Sequence, residues 1–347
     1  MDGRVTGIGS LPQTDPVDAV RFVAELCPEI PFWPQLPRRS VHETMVDQAL
    51  GGVEGLLDRR RDGSGFELRP ESCGELLDRL EDGAASLDRS HAAGFFAFEE
   101  ALHDGVFSRA VSLKGQVAGP VTSALQIFDG DRALAGDPVF LPALAQWIAG
   151  LAVFQIERLS RAGPPVMIFV DEPCLGMVDP GSLTAAGSSL ENALRTVVGA
   201  IRDSGSLAGL HCCAPFPLAV LSRIKPDIVS FDAHTDLGGF LSDPGAAAYV
   251  RGGGAVSFGL IPTTRWLADS RGAESGDTTE EEIAKRFLAA MAAAPAMEPG
   301  FPPLGDMLRR SLVTATCGLA FLDESEARAS FERAHGVSRR LREAISG

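Results

Sequence analysis

The stretch PVMIFVD (165–171) is apolar through five successive residues, Val166 to Val170, and then turns acidic. A strand with one wet face alternates apolar and polar residues, whereas an unbroken apolar run marks a parallel strand covered on both faces. Seven further runs read in this way: RVTGIGS (4–10), IPFWPQL (30–36), AVSLKGQV (110–117), LAGLHCC (207–213), DIVSFDA (227–233), AVSFGLI (255–261) and SLVTATC (311–317). Helical periodicities lie between them. TDPVDAVRFVAEL (14–26) opens with Thr14 or Asp15 as N-cap, and FLPALAQWIAGLAVFQIERLSRAG (140–163), SLENALRTVVGAIRDSG (189–205), TEEEIAKRFLAAMAAA (279–294) and SEARASFERAHGVSRRLREAI (325–345) follow. Strands alternating with helices imply βαβ units, and eight strands favour an α/β fold closed into one (β/α)8 TIM barrel spanning 1–347.

About 70 residues separate the second run from the third, far beyond an ordinary βα loop. Residues 37–109 are therefore expected as an inserted segment after strand 2, placed over the C-terminal face of the barrel as a lid. Its helical pieces are HETMVDQAL (42–50) and SCGELLDRLEDG (72–83), and its RRR run at 59–61 reads as a solvated turn.

With 45% hydrophobic and 22% charged residues the chain can bury a large core, and its net charge of −15 argues against nucleic-acid or anionic-membrane partners. The N-terminus lacks a basic segment followed by an apolar one, and no uninterrupted apolar run of about 18 residues appears, so a cytoplasmic location is expected. Cys27, Cys73, Cys174, Cys212, Cys213 and Cys317 show no regular framework, which points to free thiols in a reducing compartment.

In a parallel barrel the chemistry collects at the C-terminal strand ends. Here those ends read Gly9-Ser10, Gln35, Gln116, Asp171-Glu172, His211-Cys212-Cys213, Asp232, Pro262-Thr263-Thr264 and Thr316-Cys317-Gly318. His211 and Cys213, two apart, share a face while Cys212 turns away. With Cys317 and Asp232 ending other strands, a zinc site of one histidine, two thiolates and an oxygen or substrate position is expected. Core filler competes with this reading while the His-x-Cys pair is taken alone. Such a donor set suits activation of a thiol substrate, and so alkyl transfer to sulfur.

Asp171 and Glu172 close an apolar strand, where they cap the next segment or present carboxylates to a substrate ammonium group. Gly9-Ser10 is a tight turn or a place where substrate approaches the backbone; Gly119-Pro120-Val121-Thr122 is similar. Gly252-Gly253-Gly254 precedes a strand and reads as a turn at the barrel bottom. His234 is a reserve ligand or proton donor. His42, His91, His103 and His335 are read as surface residues.

Six segments, TGIGSLPQT (6–14), LKGQVAGPVT (113–122), VDEP (170–173), LHCC (210–213), DIVSFD (227–232) and TCGLA (316–320), resemble in order the C-terminal catalytic barrel of the cobalamin-independent methionine synthase family. This superfamily also holds uroporphyrinogen decarboxylase. The resemblance implies His211, Cys213 and Cys317 as zinc ligands, with Asp232 standing where the family has glutamate. It implies Asp171 on the amino group of homocysteine, Ser10 holding the same amino acid, and Glu43 as a second amine contact. GLIPTT (259–264) lacks the histidine that the family carries after strand 7. The full-length enzyme has a further N-terminal barrel for methylfolate, for which 347 residues leave no room. The expected activity is therefore zinc-dependent methyl transfer to homocysteine from methylcobalamin or a methylated corrinoid protein. The alternatives are methyltetrahydrofolate as donor, another thiol acceptor, a uroporphyrinogen decarboxylase-like reaction, or a non-catalytic corrinoid- or metal-binding protein.

Overall fold

The computed structural model describes residues 1–185, 187–263 and 279–346; Thr264, one of the expected strand-end residues, lies outside them. Strands follow in chain order as β1 (Arg4–Val5), β2 (Leu57–Arg59), β3 (Phe66–Leu68), β4 (Leu113–Ala118), β5 (Ile127–Asp129), β6 (Arg132–Ala133), β7 (Val166–Asp171), β8 (Leu207–Cys212), β9 (Ile228–Phe231), β10 (Ala255–Ile261) and β11 (Ser311–Ala315). Seven of them form one curled, all-parallel sheet, a half-barrel in the order β1-β11-β10-β9-β8-β7-β4.

The segment 30–36 touches both edges of that sheet. Phe32 bridges Lys114 of β4, and Gln35 bridges Ser10 just beyond β1, both in the parallel sense. The bridges rest on Trp33 N–H to Lys114 O at 3.2 Å, Lys114 N–H to Pro31 O at 2.9 Å and Gln35 N–H to Gly9 O at 3.0 Å. Pro31 and Pro34 have no N–H to donate, so this segment makes isolated bridges instead of a continuous ladder.

Amphipathic helices cover the outer face. Asp15 caps Pro16–Leu26 by accepting from Val17 N–H and Asp18 N–H, Ser188 caps Ser189–Asp203, and Thr279 with Glu282 forms a reciprocal capping box for Glu280–Met297. The helix Phe140–Leu159 belongs to an apolar stretch long enough, by length and composition, to cross a membrane. Within this fold 67% of its most apolar window is buried, as in a core helix. The inner face has its own floor: Ile30, Met167, Phe169, Ile228, Ala255 and Leu312 pack as a cluster separate from the large outer core.

The segment 37–109 is more varied than its sequence suggests. Its hairpin β2-β3 joins β5 and β6 in a second, four-stranded sheet that the sequence reading did not anticipate. Its helix Ala93–His103 packs beside Pro16–Leu26 as part of the outer helical layer. The RRR run is not a free turn, because Arg59 pairs with Asp47 and Arg60 with Glu67 at 2.7 Å.

Candidate metal and substrate site

Strand register assembles the site. Asp171 of β7 lies opposite His211 of β8, which lies opposite Ser230 of β9, so the three side chains form one lateral row on the inner face. His211 is buried, and its Nδ1 meets Ser230 Oγ at 2.9 Å. That contact leaves Nε2 as the ring nitrogen for a ligand, with Ser230 in the orienting role that metal-bound histidines require. Ligand atoms of His211, Cys213 and Cys317 all lie within 4.8 Å of one another. Cys212 turns to the other side: it is fully buried, its thiol donates to Ala214 O at 3.1 Å, and burial pushes its pKa up to about 12.

The Cys213 and Cys317 sulfurs lie within 4.8 Å of each other. Their mutual interaction, with His211 beside it, holds Cys317 below the ordinary thiol range, while the same interaction and burial push Cys213 up. Two sulfurs with one imidazole nitrogen make a donor set that fits a thiophilic divalent ion.

Asp171 is 8% exposed, and its Oδ1 has no hydrogen-bond partner among the described residues. Burial raises its pKa to about 6, opposed by His211 and Lys114 and reinforced by Cys317. A buried carboxylate oxygen left unpaired beside the cluster fits a cationic substrate group. Gly9 and Ser10 approach from β1. A Cβ on Gly9 would lie 2.8 Å from Gln116 Cδ, and one on Gly318 only 2.2 Å from Ser10 Oγ. With Leu319 N–H donating to Ser10 O at 2.8 Å, the Gly9-Ser10 turn is seated directly on the Cys317-Gly318 segment.

The other expected site residues make contacts of their own. Glu172 does not face the cluster: it is fully buried and its two oxygens accept from Val121 N–H at 2.9 Å and Thr122 N–H at 2.7 Å. It anchors the Gly119-Pro120-Val121-Thr122 turn, and Gly119 is required because a Cβ there would come within 2.2 Å of the Glu172 carboxylate. Asp232 is the N-cap of Ala233–Ser242, accepting from Thr235 N–H at 3.0 Å and Thr235 Oγ1 at 2.8 Å, and it stands outside the three-residue group. His234 is exposed in the first turn of that helix. Glu43 is fully buried and accepts from Arg39 at 2.7 Å; burial raises its pKa against the pull of Arg39.

The comparisons with known proteins add little to this geometry. No family model and no curated protein matches the sequence. Among solved structures, a B12-independent methionine synthase from Shewanella sp. W3-18-1 in complex with selenomethionine aligns with a TM-score of 0.47 at 16% identity, over 71% of this chain and 67% of that one. An amidohydrolase aligns with a TM-score of 0.30 at 13% identity, over 70% of this chain and 61% of that one.

One inner-face residue escapes the sequence reading. Lys114, 1% exposed, donates through Nζ to Ile8 O at 2.5 Å, stands 4.7 Å from the centre of the Phe169 ring, and is pushed down to about 8 by burial. A lysine within the apolar run AVSLKGQV is the signal that marks it. His91, read as a surface residue, is 5% exposed.

Proposed function

We propose that this protein is a zinc-dependent methyltransferase acting on a thiol, with homocysteine as acceptor and methionine as product, on a (β/α)8 barrel whose eighth stave is the bridged segment 30–36. The observation that carries the reading is the convergence of His211, Cys213 and Cys317 from two strand ends far apart in sequence. The order of resembling segments in the sequence supports it. A zinc ion held there would lower the pKa of an incoming thiol, making a thiolate nucleophile available near neutral pH.

The residues divide the remaining work. His211, Cys213 and Cys317 supply the ligands, and Ser230 orients the His211 ring through Nδ1. Asp171, ionised above its raised pKa, offers Oδ1 to the substrate ammonium group, and Ser10 on the Gly9 turn borders the same space. Glu172 stays as the anchor beneath. In the transfer the substrate sulfur loses its proton, a sulfur–carbon bond forms, and the methyl group's former bond breaks with its electron pair left on the donor. Phe321, 96% exposed, and Met177, 81% exposed, follow the C-terminal ends of β11 and β7, the strand ends that a bulky corrinoid donor would approach. All six cysteines are free.

The test is methionine formation by purified, zinc-loaded protein from homocysteine with methylcobalamin or, separately, methyltetrahydrofolate. Turnover with methylcobalamin is expected. No methyl transfer to homocysteine or any other thiol from either donor would overturn the reading.

A further inference from the structure

A second constellation sits in the segment between 30–36 and β4, built from residues that the proposed reaction does not use. His42 comes from the turn Val41–Glu43, Glu54 from the turn Glu54–Leu56, and His91 from the loop before the helix Ala93–His103. Ligand atoms of the three lie within 4.8 Å of one another. Two ring nitrogens converge on one carboxylate oxygen: His91 Nε2 is 2.8 Å and His42 Nδ1 3.2 Å from Glu54 Oε2. Donors around a small divalent ion at about 2.0–2.2 Å sit roughly 3.3 Å apart in a tetrahedral arrangement, a spacing that the His42–Glu54 pair meets and the His91–Glu54 pair approaches.

The surroundings are those of a ligand set. His91 is more than nine-tenths buried, and its other nitrogen, Nδ1, is held by Asp88 Oδ2 at 2.9 Å, the carboxylate–histidine relay that orients metal-bound imidazoles. A neutral imidazole can donate only one N–H, yet both nitrogens of His91 face carboxylates, an arrangement that either a cation or a second proton between His91 and Glu54 completes. The backbone is fixed as well: His91 O accepts from Gln48 Nε2 at 2.7 Å, and His42 N–H donates to Ser40 Oγ at 3.2 Å. Gly51 leaves room for the ring, since a Cβ there would lie 2.8 Å from His91 Cδ2. The exposed His42 leaves one side open to solvent.

We propose that His42, His91 and Glu54 bind a divalent transition-metal cation of the zinc class, with Asp88 as positioning residue. The site ties three turns together and, through Gln48, reaches Gln35 at 2.9 Å beside the Ser10 bridge, so a bound cation clamps this segment onto the rim of the half-barrel. Nothing in this depends on the thiolate cluster.

The experiment uses the full chain carrying Cys213→Ser and Cys317→Ser, which removes sulfur ligation, titrated with Co2+ and with Zn2+. The expected result is one ion per chain, with cobalt d–d absorption but no sulfur charge-transfer band. Adding His42→Ala, an exposed position that leaves the fold intact by circular dichroism, abolishes binding, and Asp88→Asn weakens it by about 10–100-fold. Absence of binding by the folded double-serine protein overturns the proposal and leaves a proton on His91 as the positive species. Binding indifferent to His42→Ala overturns it equally.

Discussion

The two ends of the inner face are built from the same strands and do opposite things. At the floor, Met167 and Phe169 of β7 meet Ile228, Ala255 and Leu312 in a dry apolar cluster. Two residues past Phe169 on the same face, Asp171 opens a polar mouth with His211 and Ser230 in register. On the proposed reading, stability is concentrated where the side chains fit only each other, and reactivity at the mouth, where Asp171 Oδ1 lacks a partner among the described residues. Adjacent residues repeat the contrast: Glu172 is saturated by two N–H donors, whereas Asp171 keeps a free Oδ1.

That contrast predicts that substitutions at the mouth cost activity and those at the floor cost stability. The largest effect is expected for Cys317→Ser, which should lower metal affinity and thiol methylation by more than about 100-fold while leaving the thermal midpoint of the metal-free protein nearly unchanged. Met167→Ala, at a floor position 1% exposed, should do the reverse, costing about 2–5 kcal/mol in denaturant unfolding with one thiolate-bound metal retained. Equal losses of metal in both variants would erase the division.

Glu172 sharpens it through pH. Burial lifts its pKa from the ordinary 4.5 to about 7 despite two N–H donors. A carboxyl that binds its proton more tightly when folded favours the fold fully below 4.5, and that contribution is lost as pH rises through 7. Wild-type stability relative to Glu172→Gln should therefore fall by about 2–3 kcal/mol between these limits, measured as urea unfolding at each pH. A flat difference would show that the anchor carries no charge-dependent cost. The smallest effect belongs to Asp171→Asn. Losing a charge-assisted contact worth about 1.5–3 kcal/mol should raise the KM for homocysteine about 10–100-fold, with metal content unchanged. An unchanged KM would remove Asp171 from the substrate site.

Much of this was legible in the sequence, for physical reasons that also mark its limit. β10 falls where AVSFGLI was read, because a continuous apolar run has one plausible use in a parallel sheet. The small sheet was not legible, since strands of two or three residues are too short to show a period. His211, Cys213 and Cys317 stood out because soft ligands at strand ends are unusual. Asp232 stood out equally but is spent on Thr235, a capping pattern that the same aspartate before a helix satisfies. Glu172 looked like a site residue because its partners, Val121 and Thr122, lie about fifty positions away, beyond any local pattern.

The most direct measurement is the absorption spectrum of cobalt-loaded wild type beside Cys213→Ser and Cys317→Ser. The account predicts a near-ultraviolet sulfur-to-cobalt charge-transfer band in wild type, diminished in both variants, because both sulfurs ligate one ion. A wild-type protein that takes up cobalt without that band, or a band indifferent to either substitution, would contradict the central claim.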